Sequence, residues 1–203
     1  MKYYLIAGEP SGDALGARLM DSIRRKDKKA EFFGVGGDSM QTQGLKSLFN
    51  IRELAVMGLA EVIPSIPKIL QRIKQTVQNI IDTQPDVIIT VDSWSFSARI
   101  HKKLRALKTE IPQVHYVAPQ VWAWKKKRAR TMYKYIDLLL TLFPNEPKYF
   151  LPYNLPTVFV GHPVIESVIV NGNNKGKFRA KHNIISSQKI MLILPGSRRN
   201  NTR

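Results

Sequence analysis

The chain has 203 residues, 43% of them apolar and 23% charged, which suits one full soluble globular domain and the start of another. It has no cysteine, which excludes disulfides and cysteine-based metal sites and agrees with a cytoplasmic location. No apolar run reaches membrane-span length, and the N-terminus carries no signal-peptide pattern. The formal charge of +17, from 32 basic against 15 acidic residues, implies an anionic partner or a lysine-rich proteome.

Residues 3–7 form a short apolar run, the pattern of a strand buried on both faces of a parallel sheet. The run breaks at Gly8-Glu-Pro-Ser-Gly-Asp13, and Leu15, Leu19 and Ile23 then give a helical stripe. Ser11 is the expected N-cap, and Asp13 lies in the first turn, where the helix dipole favours a carboxylate. In an open α/β sheet such a turn sits at the carboxyl ends of the strands, where ligands bind. A tight backbone turn is the plain alternative, and the spacing is not that of a dinucleotide fingerprint.

Residues 31–35 read as a second strand ending in Gly36 and Gly37, with Asp38 or Ser39 as the next cap. Ile66, Ile69, Leu70, Ile73 and Val77 then recur at helical spacing. A helix packed on a sheet explains that stripe. Yet Val62 and Ile63, beside two prolines, add more apolar surface than one face needs. An apolar knob of Val62, Ile63, Ile66, Ile69 and Leu70, ringed by Lys68, Arg72 and Lys74, also suits a peripheral contact with anionic lipid.

Residues 87–92 are the clearest strand, and Asp92 stands where it ends, facing the ligand edge of a parallel sheet. Its other reading is a cap for a helix over 95–107. Residues 113–117 form another strand, followed by Ala118-Pro-Gln-Val-Trp-Ala-Trp124 and a basic run over 125–130. Trp122 and Trp124 either close a core or form an apolar wall against a ligand. A strand over 136–143 leads to a short helix over 144–150. A strand over 157–160 then ends in Gly161-His162-Pro163. His162 is either structural or placed for proton handling or phosphate contact. The polar, lysine-rich stretch 171–188 reads as a linker, and 189–194 as a new strand running into Pro195-Gly-Ser-Arg198. The expected organisation is therefore a Rossmann-like domain over 1–170, a linker over 171–188, and over 189–203 the opening of a second domain that stops early.

Five segments together resemble the lipid-A-disaccharide synthases, glycosyltransferase family 19. They are Gly8-Glu-Pro-Ser-Gly-Asp13, Glu53-Leu-Ala-Val-Met-Gly58, His115-Tyr-Val-Ala-Pro-Gln-Val-Trp-Ala-Trp124, Phe159-Val-Gly-His162 and Leu194-Pro-Gly-Ser-Arg198. They occur in the family's order along nearly the whole chain, and the tryptophan motif is the most specific. The resemblance implies the N-terminal domain of a GT-B fold, an α/β, doubly wound and mostly parallel sheet. It implies transfer of 2,3-diacylglucosamine from UDP-2,3-diacylglucosamine to 2,3-diacylglucosamine 1-phosphate, at the inner face of the inner membrane and without a metal or other cofactor.

An acceptor hydroxyl is a poor nucleophile until a base takes its proton. Asp92 matches the family's catalytic aspartate. Arg198 matches the arginine that would face the departing UDP, where negative charge grows. Glu9, Ser11, Asp13, Trp122 and His162 follow as substrate-side positions. Two local departures stand out: Asp92-Ser-Trp-Ser-Phe96 replaces the family's Asp-x-Pro-Asp-Phe, and Arg199-Asn-Asn-Thr-Arg203 lacks an expected acid. With most of a donor domain not covered, the expectation is a chain that does not turn over alone, either a truncated reading frame or half of a split enzyme with a separately encoded C-terminal half. The competing class is a non-catalytic basic module binding lipid or nucleic acid, although no aromatic-studded RNA-binding motif accompanies the charge. A sugar-nucleotide epimerase of related fold is a third option, against which the tryptophan motif argues.

Overall fold

The computed structural model of the protein describes residues 1–54, 59–123, 126–165 and 174–193, with the backbone alone at 59–65 and 126. Six strands form one sheet: β1 Lys2–Ala7, β2 Glu31–Val35, β3 Val87–Val91, β4 Gln113–Tyr116, β5 Leu138–Thr141 and β6 Thr157–Phe159. Their spatial order is β2-β1-β3-β4-β5-β6, and every pairing is parallel. The helices are α1 Pro10–Lys26, α2 Asp38–Thr42, α3 Leu59–Thr83, α4 Trp94–Ala106, α5 Ala129–Met132 and α6 Lys175–Lys181. This is the expected Rossmann-like, doubly wound α/β fold.

The alternation of side chains along a strand decides which helices cover which face. Tyr4, Ile6 and Ile88 point into one core with Ile73, Val77 and Ile80 of α3 and Phe96, Ile100 and Leu104 of α4. Leu5, Ala7, Ile89 and Val91 point the other way, onto Ala17 and Met20 of α1 and Met40 of α2. Tyr4, Leu5 and Ile6 are fully buried, each worth about 1.5–3 kcal/mol of apolar burial. β1 is therefore apolar on both faces because it lies inside the sheet with helices on each side. After β1 the chain moves to β2 on one side; β3 then pairs on the other side of β1. In open α/β sheets a reversal of this kind places the ligand crevice between the carboxyl ends of the two strands, here β1 and β3.

Several local expectations need correction. The N-cap of α1 is Glu9 rather than Ser11, because Pro10, with its fixed φ, takes the first helical position. Residues 144–150 form no α-helix; the chain makes two 3-10 turns, Pro147–Tyr149 and Leu151–Tyr153. The chain divides into two compact units, Met1–Pro163 and Val164–Arg203. The stretch 171–188 is not a plain linker, since it contains α6. In that second unit the Arg179 guanidinium donates to the carbonyls of Ile185 (2.6 Å) and Gln188 (3.0 Å), which folds the chain back on the helix. Residues 189–193 form no strand, and Met191, Leu192 and Ile193 are exposed. A strand exists through its ladder partner, and none of the described strands pairs with this run.

Candidate functional site

Two turns meet at the crevice. The β1–α1 turn brings Gly8, Glu9, Ser11 and Gly12 to the carboxyl edge, and the β3–α4 turn brings Asp92 and Ser93. A Cβ on Gly8 would lie 2.8 Å from the Ser93 Cβ and Oγ, and one on Gly12 would lie 2.9 Å from the Val91 carbonyl oxygen. The turns approach this closely because those two residues lack side chains.

Asp92 and Ser93 both take the left-handed conformation, with φ of 55° and 44°. Such residues persist where neighbours over-determine them, and they gather at functional sites. Here the Asp92 N–H donates to the Tyr116 carbonyl (2.9 Å), and the Ser97 hydroxyl donates to the Asp92 carbonyl (3.1 Å). The half-buried carboxylate accepts from the Ser93 N–H (2.8 Å) and, more weakly, from the Ser11 hydroxyl (3.4 Å). Ser93, not Asp92, is the N-cap of α4. The Ser93 hydroxyl in turn donates to the Glu9 carboxylate (2.9 Å), which ties the two turns together. A carboxylate held this way at the rim of a crevice can accept a proton from a hydroxyl bound in it.

Asp13 belongs elsewhere. It is buried at 4% exposure, and its carboxylate accepts from the N–H groups of Gly37 (2.7 Å), Ser39 (2.9 Å) and Met40 (3.0 Å). Gly37 is the N-cap of α2 and has no side chain, so α1 supplies the missing oxygen from 24 residues away. Neither Asp38 nor Ser39 caps α2, and Asp13 braces the start of that helix.

Trp122 follows β4, the neighbour of β3, and is 53% exposed on the same edge of the sheet. Trp94 is buried and packs edge-on against His115 at 4.8 Å. His162 follows β6, three strands from β3, or about 14 Å at ordinary strand spacing. It lies against Phe143, with ring centroids 6.0 Å apart, and is not gathered with Asp92 at the β1–β3 crevice. Arg198, Trp124 and the side chains of Val62 and Ile63 lie outside the described residues. Of the apolar knob, Ile66 (44%) and Leu70 (51%) are exposed on α3. Ile69 is half-buried and packs on the core.

Glu53, in the 3-10 turn Ile51–Leu54, accepts from Arg72 of α3 at 2.7 and 2.9 Å and pairs with Lys68 at 3.2 Å. The hydrogen bond from Arg72 holds its carboxyl below the usual range. A shallow groove of about 350 Å³ between α3 and α4, lined by Lys74, Val77, Ile81, Lys103 and Leu107, shares no lining residue with the Asp92 crevice.

Sequence reasoning missed Glu146 and His101. Glu146 is buried and braces the end of β5, accepting from the N–H groups of Leu142 (3.1 Å) and Phe143 (3.0 Å). His101 is fully buried. Its signal was available: it shares the inward stripe of α4 with Ser97 and Leu104 at helical spacing.

The strand order and the two turns define a Rossmann-like α/β domain with an aspartate at the switch point of its sheet. The chain belongs to the lipid-A-disaccharide synthetase family, whose match spans residues 3–203. It is 50% identical to the lipid-A-disaccharide synthase of Paramagnetospirillum magneticum over its whole length, covering 52% of that protein. It is 46% identical to that of Rhodospirillum centenum over 97% of its length, covering 49%. The chain thus spans about half the length of the curated relatives it matches. Among solved structures, a UDP-GlcNAc 2-epimerase from Neisseria meningitidis bound to UDP-GlcNAc superposes with a TM-score of 0.62. That match has 13% identity and covers 92% of this chain and 55% of the epimerase, a likeness of fold alone.

Proposed function

We propose that this chain is the acceptor-side half of a two-domain GT-B hexosyltransferase that makes the lipid A disaccharide. The supporting observation is the Asp92 carboxylate, half-open at the β1–β3 crevice and steadied by Ser93 and Ser11. The acceptor is 2,3-diacylglucosamine 1-phosphate and the donor UDP-2,3-diacylglucosamine. Asp92 takes the proton from the acceptor hydroxyl as its oxygen attacks the donor's anomeric carbon. The new carbon–oxygen bond forms as the bond to UDP breaks, and UDP leaves with the electron pair. Glu9 and Ser11 order the rim, and Trp122 gives the acceptor an apolar wall. His162 is assigned a supporting acceptor-side place along the same edge.

Negative charge growing on UDP calls for a fixed cation, and Arg198 is the candidate. Residues 189–203 lead toward the sugar-nucleotide half, for which the relatives have the length that this chain does not span. A C-terminal half, continuous with this chain or separately encoded, would complete the site. Exposed Ile66 and Leu70, beside exposed Lys68, form the footing on an anionic inner-membrane surface, reached from the cytoplasm. No helix among the described residues is long and apolar enough to cross a membrane.

The test is an NMR titration of the chain with 2,3-diacylglucosamine 1-phosphate in neutral micelles, against empty micelles. The expected result is acceptor-dependent shifts at Ser11, Asp92, Ser93 and Trp122. Shifts confined to α3 would mean that only the lipid tails are held, and would contradict the assignment.

A further inference from the structure

Beside the Asp92–Ser93 corner lies a chain of buried polar side chains that no step of the transfer uses. Thr90, two residues before Asp92 on β3, has its hydroxyl 2.8 Å from His101 Nε2 and 2.6 Å from His115 Nδ1. The His101 Nδ1 lies 2.7 Å from Gln113 Oε1. All four residues are at 0% exposure, where polar groups are costly and apolar ones would pack more simply. Trp94, the first residue of α4, closes the cluster against both imidazoles.

The cluster joins the elements that frame the corner. Thr90 is on β3, and its register partner is His115 on β4, which also carries Gln113. His101 is on α4, the helix whose Ser97 holds the Asp92 carbonyl. The residue after His115, Tyr116, accepts the Asp92 N–H.

The proton count constrains the chain. The Thr90 hydroxyl also has the Val114 carbonyl at 3.4 Å, but the two ring nitrogens are much closer, so its one proton goes to one imidazole and it accepts from the other. Two neutral rings linked this way must share one tautomer. With Gln113 Oε1 accepting from His101 Nδ1–H, that tautomer is Nδ1–H on both. Burial holds both rings below the usual histidine range and so keeps them neutral.

We propose that Thr90, His101, His115 and Gln113 form the positioning device of Asp92, locking β3, β4 and α4 in the arrangement that holds Asp92 and Ser93 left-handed. The four act through the corner and touch no substrate. The catalytic consequence rests on Asp92 being the base, but the corner's geometry can be read without turnover. Failure of one therefore leaves the other standing.

The experiment is NMR on the protein carrying 15N-labelled histidine and uniform 13C. Wild type is expected to show His101 and His115 neutral with one shared tautomer from pH 7.5 to 5.5, and left-handed Cα and Cβ shifts at Asp92 and Ser93. Thr90→Val removes the hydroxyl at nearly constant shape. It should uncouple the tautomers and move the Asp92 and Ser93 shifts at least halfway to unstructured values, and Thr90→Ser should restore both. A threonine that only fills space predicts the reverse, with valine silent and serine damaging. That result, or opposite tautomers on the wild-type rings, would overturn the proposal. If Thr90→Val does not fold, Gln113→Leu breaks the chain at its end and is read in the same way. Unchanged corner shifts in that variant would also overturn it.

Discussion

The Ser93 hydroxyl donates to the Glu9 carboxylate at 2.9 Å, joining two turns 84 residues apart in sequence. Gly8, beside Glu9, leaves no room for a Cβ against Ser93. Gly8→Ala is therefore expected to cost about 1–3 kcal/mol through overpacking. Ser93→Gly removes the atoms it strikes and relieves a left-handed serine, so the double variant should recover more than half of the loss. Urea denaturation of the four proteins checks this, and simple additivity would refute the contact.

Asp13 accepts three backbone hydrogen bonds in a buried place. Asp13→Ala strands those donors and should cost about 2–4 kcal/mol. Asp13→Asn keeps one good acceptor and should cost less. A surface aspartate would give changes within about 0.5 kcal/mol, so denaturation separates the two roles.

Burial pushes His101 down to about 4 from its ordinary 6.5. The Arg105 charge adds to the lowering, while the Gln113 hydrogen bond and Asp137 oppose it. Between those values the unfolded chain binds a proton that the folded chain refuses. His101 therefore contributes full stability above pH 6.5, and that contribution falls as the pH drops to about 4. The loss is about 3 kcal/mol for this group alone. His101→Gln should flatten the pH dependence of urea midpoints over that window. An equally steep profile would show that His101 is not its source.

Ile66 and Leu70 are exposed on α3, whereas Ile69 packs on the core. Ile66→Asp and Leu70→Asp should each weaken sedimentation with phosphatidylglycerol vesicles roughly tenfold, with little effect on stability. Ile69→Asp should do the opposite, costing stability first. Equal vesicle binding by all three variants would remove this face as the membrane footing.

The sheet was legible because its strands are short apolar runs bounded by glycine, proline or aspartate; residues 87–92 show the pattern most clearly. The place of residues 8–12 and of Asp92 at the carboxyl edge was legible for the same reason, since each directly follows an apolar run. What the chain hid were contacts between distant turns. Asp13 in a first helical turn looks like a dipole partner, and nothing local reveals that it caps a different helix. Ile69 has the same spacing as Ile66 and Leu70, and only the packing of α3 on the sheet separates them. The run 189–194 has the composition of a strand, but composition supplies no ladder partner.

The most direct measurement is glycosyl transfer by this chain combined with the C-terminal half of the Paramagnetospirillum magneticum relative, with wild-type Asp92 or with Asp92→Asn. Neither chain alone is expected to turn over. The wild-type combination should transfer, and the asparagine variant should lose about 10²–10⁴-fold in kcat, the usual worth of a general base, with its fold and acceptor-induced shifts intact. Transfer by the Asp92→Asn combination within about threefold of wild type would contradict the central claim.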